Sequence, residues 1–264
     1  MDFMTVYFGV IFFISGLCLG SFLNCAAYRI ARGMDFIHGK SHCPACGAEL
    51  VVADLIPVIS YMASRGRCRH CGTKISARYP LTELLFAALC VGIYIVEVIP
   101  VFTGAQDVNS ILWLRDIFFV ACLFVISLVD IEIREIPDGA LLMSAAVWAV
   151  SAWFIYGSVK DIAIHLGSGL LLGAIFLIVS LVMDRILKKE SLGGGDIKLF
   201  AVVGLYLGLL PSLFAVMIAS LSGFFAAKIL KSESISFGPF IAVGTYFMLL
   251  WGERLSRWYL ELLF

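Results

Sequence analysis

The chain has 264 residues, 61% of them hydrophobic and only 14% charged, and its 19 basic residues balance 19 acidic ones. A mean hydropathy of +1.01 excludes a soluble globular domain and makes this an integral membrane protein with lipid as its solvent. The zero net charge says little by itself, because the distribution of charge sets orientation in a bilayer; no nucleic-acid partner is expected.

The first apolar run, Val6 to Tyr28, has Asp2 where a secretory signal would carry a basic flank, and it passes Gly20 without a cleavage site. It reads as a membrane anchor. Gly16 and Gly20 form a G-x3-G pair suited to close helix packing. Asn24 needs a partner in such a helix, and an interhelical hydrogen bond is the expected one.

Residues 29 to 78 form the one sizeable polar segment, with eight Lys and Arg against three acidic residues. Cys43-Pro44-Ala45-Cys46-Gly47 and Cys68-Arg69-His70-Cys71-Gly72 give two C-x2-C pairs with 21 residues between them. Four thiolates at this spacing suit a closed tetrahedral Zn(II) site, and the glycine after each pair permits the tight turn. Disulfides compete with this reading, but a reducing cytoplasm argues against them. A four-sulfur site leaves no open position for water, so its expected role is scaffolding. His70 is expected to face solvent, and Cys18, Cys25, Cys90 and Cys122 to act as small hydrophobes in apolar helices.

The second run is Tyr79 to Val101, and Glu83 near its start is favoured by the helix dipole. Ile111 to Val129 follows and closes on Asp130. The stretch from Asp130 to Asp138 holds four carboxylates and Arg134; it reads either as a solvated turn or as a cradle for a cationic substrate. Further runs cover Ala140 to Tyr156 and Ile162 to Val182. Gly193-Gly194-Gly195-Asp196 then precedes Ile197 to Leu210. Pro211 separates that run from Ser212 to Leu230, and Gly238 to Trp251 is the last. The split at Pro211 leaves Ile197 to Leu210 at roughly 21 Å, short of a full crossing, so the glycine loop would dip below the inner surface with Asp196.

The expected fold is an all-α membrane protein of about eight transmembrane helices. A small zinc-ribbon-like loop domain follows the first helix, giving segments 1–28, 29–78 and 79–264. With the amino terminus outside, all of the 19 Lys and Arg except Arg115, Lys160, Arg254 and Arg257 fall on the inner side. The positive-inside rule fixes this orientation.

Asp130 and Asp196 then share the inner face. Carboxylates at membrane depth are costly and point to function. Two of them sharing a proton can take one from water and give one to a scissile carbonyl, which is aspartic-protease chemistry. An intramembrane protease acting on helical substrates, or a proton-coupled transporter using both groups as relays, would draw on the same pair. No clear internal repeat supports the transporter.

The chain resembles the bacterial type IV prepilin peptidases, bifunctional leader peptidases and N-methyltransferases. The resemblance rests on Gly20-Ser21-Phe22-Leu23-Asn24 with Tyr28-Arg29, both cysteine pairs, Arg65-Gly66-Arg67-Cys68-Arg69 and Ile75-Ser76-Ala77-Arg78-Tyr79-Pro80 with Glu83. It continues through Asp130 with Pro137-Asp138, Gly193-Gly194-Gly195-Asp196-Ile197-Lys198 and Phe237-Gly238-Pro239-Phe240. It implies Asp130 and Asp196 as the protease pair and prepilins and pseudopilins as substrates. It also implies a multi-pass place in the cytoplasmic membrane with the site facing the cytoplasm, and S-adenosylmethionine as methyl donor. Two departures stand out: Asp54-Leu55-Ile56-Pro57 replaces the usual Asp-Asn-Ile-Pro, and no proline follows Tyr28-Arg29-Ile30. No glycine-rich dinucleotide fingerprint is present, so a donor pocket is expected among the helices and the cysteine loop.

Overall fold

The structure, a computed structural model, describes residues 3–35, 39, 41–102, 110–189, 192–231 and 235–263. Asp2 and Lys40, used above for the membrane anchor and the charge bias, lie outside the described residues. The chain divides into two compact units, Met1–Val108 and Asn109–Phe264. Among the described residues it is helical apart from turns, loops and two isolated β-bridges.

In the first unit, α1 (Phe3–Ile30) packs antiparallel on α3 (Arg78–Ile93). The glycine pair makes this approach: a Cβ on Gly16 would meet the Ala87 Cα at 2.7 Å, and one on Gly20 the Glu83 Cα at 3.1 Å. The expected hydrogen bond of Asn24 is made here too, its Oδ1 accepting from the Thr82 hydroxyl at 2.8 Å. Helix α3 runs through a π turn (Tyr94–Val98) into α4 (Ile99–Phe102). The widened turn precedes Pro100, whose missing N–H and ring bulk disrupt an α-helical ladder. Between α1 and α3 lie a 3₁₀ turn (Val52–Asp54) and the short α2 (Ile59–Ala63).

The second unit holds α5 (Ser110–Ile133), α6 (Asp138–Tyr156), α7 (Val159–Leu187), α8 (Gly194–Leu207), α9 (Leu209–Leu230) and α10 (Gly238–Leu263). Its core joins Phe119, Leu123 and Ile126 of α5 to Leu199, Phe200 and Val203 of α8 and to Ile241 and Met248 of α10. Phe119 stacks on Tyr206 with ring centroids 3.7 Å apart. Small residues let helices meet where apolar side chains alone give no preference over lipid; a Cβ on Gly204 would stand 2.6 Å from the Gly169 Cα.

Among the described residues, six helices are long and apolar enough to cross a membrane: Phe3–Ile30, Arg78–Val101, Ser110–Ile133, Asp138–Tyr156, Val159–Leu187 and Leu209–Leu230. This is a multi-pass membrane protein. The two other expected spans are helices as well, α8 with 14 residues and α10 with 26, the latter carrying Glu253, Arg254, Arg257 and Glu261. The break between α8 and α9 falls at Gly208, whose φ of +75° ends the first helix. Pro211 sits instead in the first turn of α9, where its missing N–H costs nothing.

Arg115, assigned to the outer side, is buried and paired with its neighbour Asp116 at 2.7 Å. Its Nη1 also reaches the Tyr156 hydroxyl at 3.4 Å, which in turn lies 3.2 Å from His165 Nδ1. The charge is thereby compensated inside the bundle rather than solvated.

Candidate active site and cysteine cluster

Asp130 lies in the last turn of α5 and is 5% exposed. Its Oδ2 accepts a hydrogen bond from the Gly238 backbone N–H at 2.8 Å. Gly238 is the first residue of α10, where N–H groups have no intrahelical partner and the dipole favours a negative charge. A carboxylate with this anchor has one oxygen held and its orientation set by a second helix.

Asp196 is the third residue of α8, after Gly193, Gly194 and Gly195. It is half-buried, and the Gly193 backbone donates back to its carboxylate, as an acid in a helix's first turn can do. Asp130 lies in the same unit, near enough for its charge to act on Asp196. Two further contacts hold the start of α8 against the α5–α6 turn. A Cβ on Gly195 would come 2.8 Å from the Ile136 Cβ, and Lys198 Nζ meets Asp138 Oδ1 at 2.8 Å.

The turn itself divides the expected carboxylate group. Asp138 is the partner of Lys198, Glu132 is half-buried, and Glu135 is exposed. Gly238 had no assigned role in the sequence. The signal that could have found it is a glycine before a proline at a helix start, which leaves one free N–H pointing out of the helix.

In the first unit the four expected cysteines gather, with all four Sγ atoms within 4.8 Å of one another. Each pair is a knuckle of the same design. Gly47 N–H donates to Cys43 O, Gly72 N–H donates to Cys68 O, and both glycines adopt left-handed φ values of +71° and +74°. Antiparallel bridges His42–Glu49 and Arg67–Lys74 close the two turns. Cys43 and Cys71 Sγ are 4.0 Å apart, near the ~3.8 Å that a tetrahedron of ~2.3 Å Zn–S bonds requires. Hydrogen bonds with the Thr73 side chain and backbone hold the Cys71 thiol low, at about 6. Contacts with the Ala45 and Cys46 backbone lower Cys43 as well. Burial and the neighbouring Cys71 and Cys43 push Cys46 the other way, up to about 11. Four sulfur atoms this close fit Zn(II), and no cysteine is in a disulfide. His70 is exposed and outside the cluster. Cys90 and Cys122 are buried as expected, whereas Cys18 is exposed and Cys25 partly so.

Glu83 does more than meet a helix dipole. It is 7% exposed, and a carboxylate oxygen accepts the Val58 N–H at 2.8 Å, tying the cysteine loop to α3. Arg29 is equally buried, its Nη2 donating to the Gly39 carbonyl at 3.0 Å. Beside these ties lies a cavity of about 750 Å³, lined by α1, the cysteine loop and the start of α3. Asn24 lines it, and its Nδ2 is buried with no hydrogen-bond partner among the described residues.

Residues 14–97 match the bacterial peptidase A24 N-terminal domain, and residues 117–227 match the type IV leader peptidase family. A prepilin leader peptidase/N-methyltransferase of Bacillus subtilis (strain 168) is 31% identical over 266 residues, covering 96% of this chain and 98% of that protein. One from Aeromonas hydrophila is 30% identical, covering 97% and 94%. A type 4 prepilin-like proteins leader peptide-processing enzyme of Escherichia coli O78:H11 is 30% identical, covering 88% and 89%. No solved structure matches.

Proposed function

Because this chain belongs to the type IV leader peptidase family, we propose that Asp130 and Asp196 are the carboxylates with which it removes the leader of a prepilin or pseudopilin. N-methylation of the new amino terminus follows. The observation that supports this pair most is the buried Asp130 carboxylate, anchored by the Gly238 N–H and near enough for its charge to act on Asp196. The two carboxylates hold one proton between them. One takes a proton from water as its oxygen attacks the scissile carbonyl, and the other protonates the leaving amine as the C–N bond breaks. No covalent intermediate forms, and the roles of acid and base belong to the pair, since a coupled dyad titrates as a unit.

In this reading the protease chemistry belongs to segment 79–264, and segment 29–78 is a scaffold closed by Zn(II) on Cys43, Cys46, Cys68 and Cys71. The metal contributes folding energy and no catalysis, its coordination being filled by sulfur. Bound S-adenosylmethionine supplies an electrophilic methyl group. The new amino terminus, once neutral, would be the group that receives it, with the sulfur of the donor as leaving group and the surplus amine proton going to water. The protein sits in the cytoplasmic membrane with the dyad on the inner face, where the positive-inside count places the ends of α5 and the start of α8.

Incubating the purified protein with a prepilin peptide and labelled donor, then reading product masses, tests this. The expected products are the free leader and a mature peptide heavier by one methyl group. An intact prepilin peptide together with cleavage of a transmembrane helix would favour the intramembrane-protease reading, and ion flux in liposomes without cleavage the transporter.

A further inference from the structure

A chain of polar contacts crosses four helices of the second unit, and the aspartate chemistry makes no use of it. Arg115 of α5 reaches the Tyr156 hydroxyl of α6 at 3.4 Å, that hydroxyl lies 3.2 Å from His165 Nδ1 of α7, and Nδ1 lies 3.0 Å from the Leu205 carbonyl of α8. A carbonyl only accepts, so His165 Nδ1 carries the hydrogen and donates to it. Leu205 is in the last turn of α8, where carbonyls have no partner within the helix. The next residue, Tyr206, is buried and ties the same turn to α5 and α6. Its hydroxyl donates to the Ser144 carbonyl at 2.8 Å, its ring stacks on Phe119, and the Arg115 guanidinium stands 5.2 Å over that ring.

These contacts bear on the dyad through the two helices that carry it. Asp196 is in the first turn of α8 and Asp130 in the last turn of α5. Tyr206 stands ten residues after Asp196, and Phe119 eleven before Asp130. The stacked rings therefore lie at matching distances from the carboxylates, roughly 15 to 17 Å along either helix. Between those points α8 meets α7 through Gly169, Gly173 and Gly204. Such a seam of small residues lets backbones approach but makes no directional bond that would stop one helix from sliding on the other. Glycines also bound α8, Gly193 at its start and Gly208 at its end. Buried polar and ionic groups add little stability over apolar ones of the same shape, and their best use is to specify one arrangement.

We infer that His165 and Tyr206 are positioning residues of the peptidase: by fixing the last turn of α8 against α5, α6 and α7, they set the register in which Asp196 stands by Asp130. The inference rests on the reading of those aspartates as the catalytic pair. A one-residue screw of α8 would shift Asp196 by ~1.5 Å and turn it by ~100°, which is enough to spoil a shared proton.

The test is steady-state cleavage of a prepilin peptide by the purified full-length protein in nanodiscs, with kcat and KM resolved. His165→Leu, which removes the donor and leaves the Leu205 carbonyl unpaired, should lower kcat about tenfold with KM unchanged. His165→Asn, whose amide can place an N–H where Nδ1 stood, should recover most of the loss. Tyr206→Phe keeps the stacked ring and loses only the bond to Ser144; its kcat should fall about threefold, the worth of one interhelical hydrogen bond in a bilayer. Thermal melting, zinc content and elution should stay near those of the wild type in all three. Wild-type kcat in His165→Leu and Tyr206→Phe, a rise in KM alone, no recovery in His165→Asn, or a loss of kcat that merely follows loss of folded protein each overturns the positioning role. Asp196→Asn is run beside them. If it is inactive while His165→Leu is fully active, the dyad stands and only the positioning role is lost; if it cleaves like the wild type, the dyad reading fails and the positioning role falls with it.

Discussion

The Gly238 backbone N–H donates to Asp130 Oδ2 across 2.8 Å, linking residues 108 apart in the chain. It fixes one oxygen of the carboxylate and leaves no room for a side chain, since a Cβ on Gly238 would stand 2.7 Å from that oxygen. Gly238→Ala should therefore displace Asp130, and cleavage should fall about 100-fold, as for ångström-scale misplacement of a reacting group. Peptide cleavage assays beside zinc analysis check this: the zinc content should be unchanged, and wild-type cleavage would mean that the contact is dispensable.

Asp130→Asn and Asp196→Asn should each lower cleavage by about 10⁴-fold or more, because an amide neither accepts the water proton nor shares one, and the two groups act as a unit. Combining them should cost little beyond either alone. Near wild-type cleavage by a folded Asp196→Asn protein would remove it from the dyad.

Freshly prepared, unchelated protein should carry about one Zn(II) per chain. Cys43→Ser with Cys46→Ser should lose it, and residues 40 to 75 should then become protease-sensitive, since metal binding is folding energy for so small a loop. Metal analysis with limited proteolysis decides the matter.

Glu132, in the last turn of α5, and Glu135, on the turn that follows, lie close to Asp130 in the chain. Changing both to Lys should raise KM for a basic leader and reduce the salt dependence of KM, because such charges act mainly on encounter. Asp138 is left out, being the partner of Lys198. Unchanged KM at low salt would make the turn merely solvated.

The two chemistries should separate. An α-amino group with a pKa near ~7.7 to 8.0 is already partly neutral at pH 7 and needs no aspartate to deprotonate it. Asp130→Asn should still methylate a synthetic mature peptide, whereas cysteine-loop variants should lose methylation more readily than cleavage. If neither asparagine variant transfers methyl while remaining folded and donor-bound, a single shared site replaces the two.

The amino-acid sequence by itself determined the features whose cause is local. Two C-x2-C-G motifs specify two knuckles because the turn, its left-handed glycine and its sulfur atoms all lie within five residues. A four-residue glycine spacing puts Gly16 and Gly20 on one helix face. Tertiary structure alone decided what depends on which helices meet. Apolar helix faces are alike to lipid and to one another, so their pattern does not say that α10 would deliver Gly238 to Asp130. Nor does it say that Arg115 would be compensated by its own neighbour inside the bundle. The same holds for the break at Gly208 rather than Pro211, where proline fits the first turn of a new helix. The cavity around Asn24 likewise exists only because α1, α3 and the cysteine loop fold against each other.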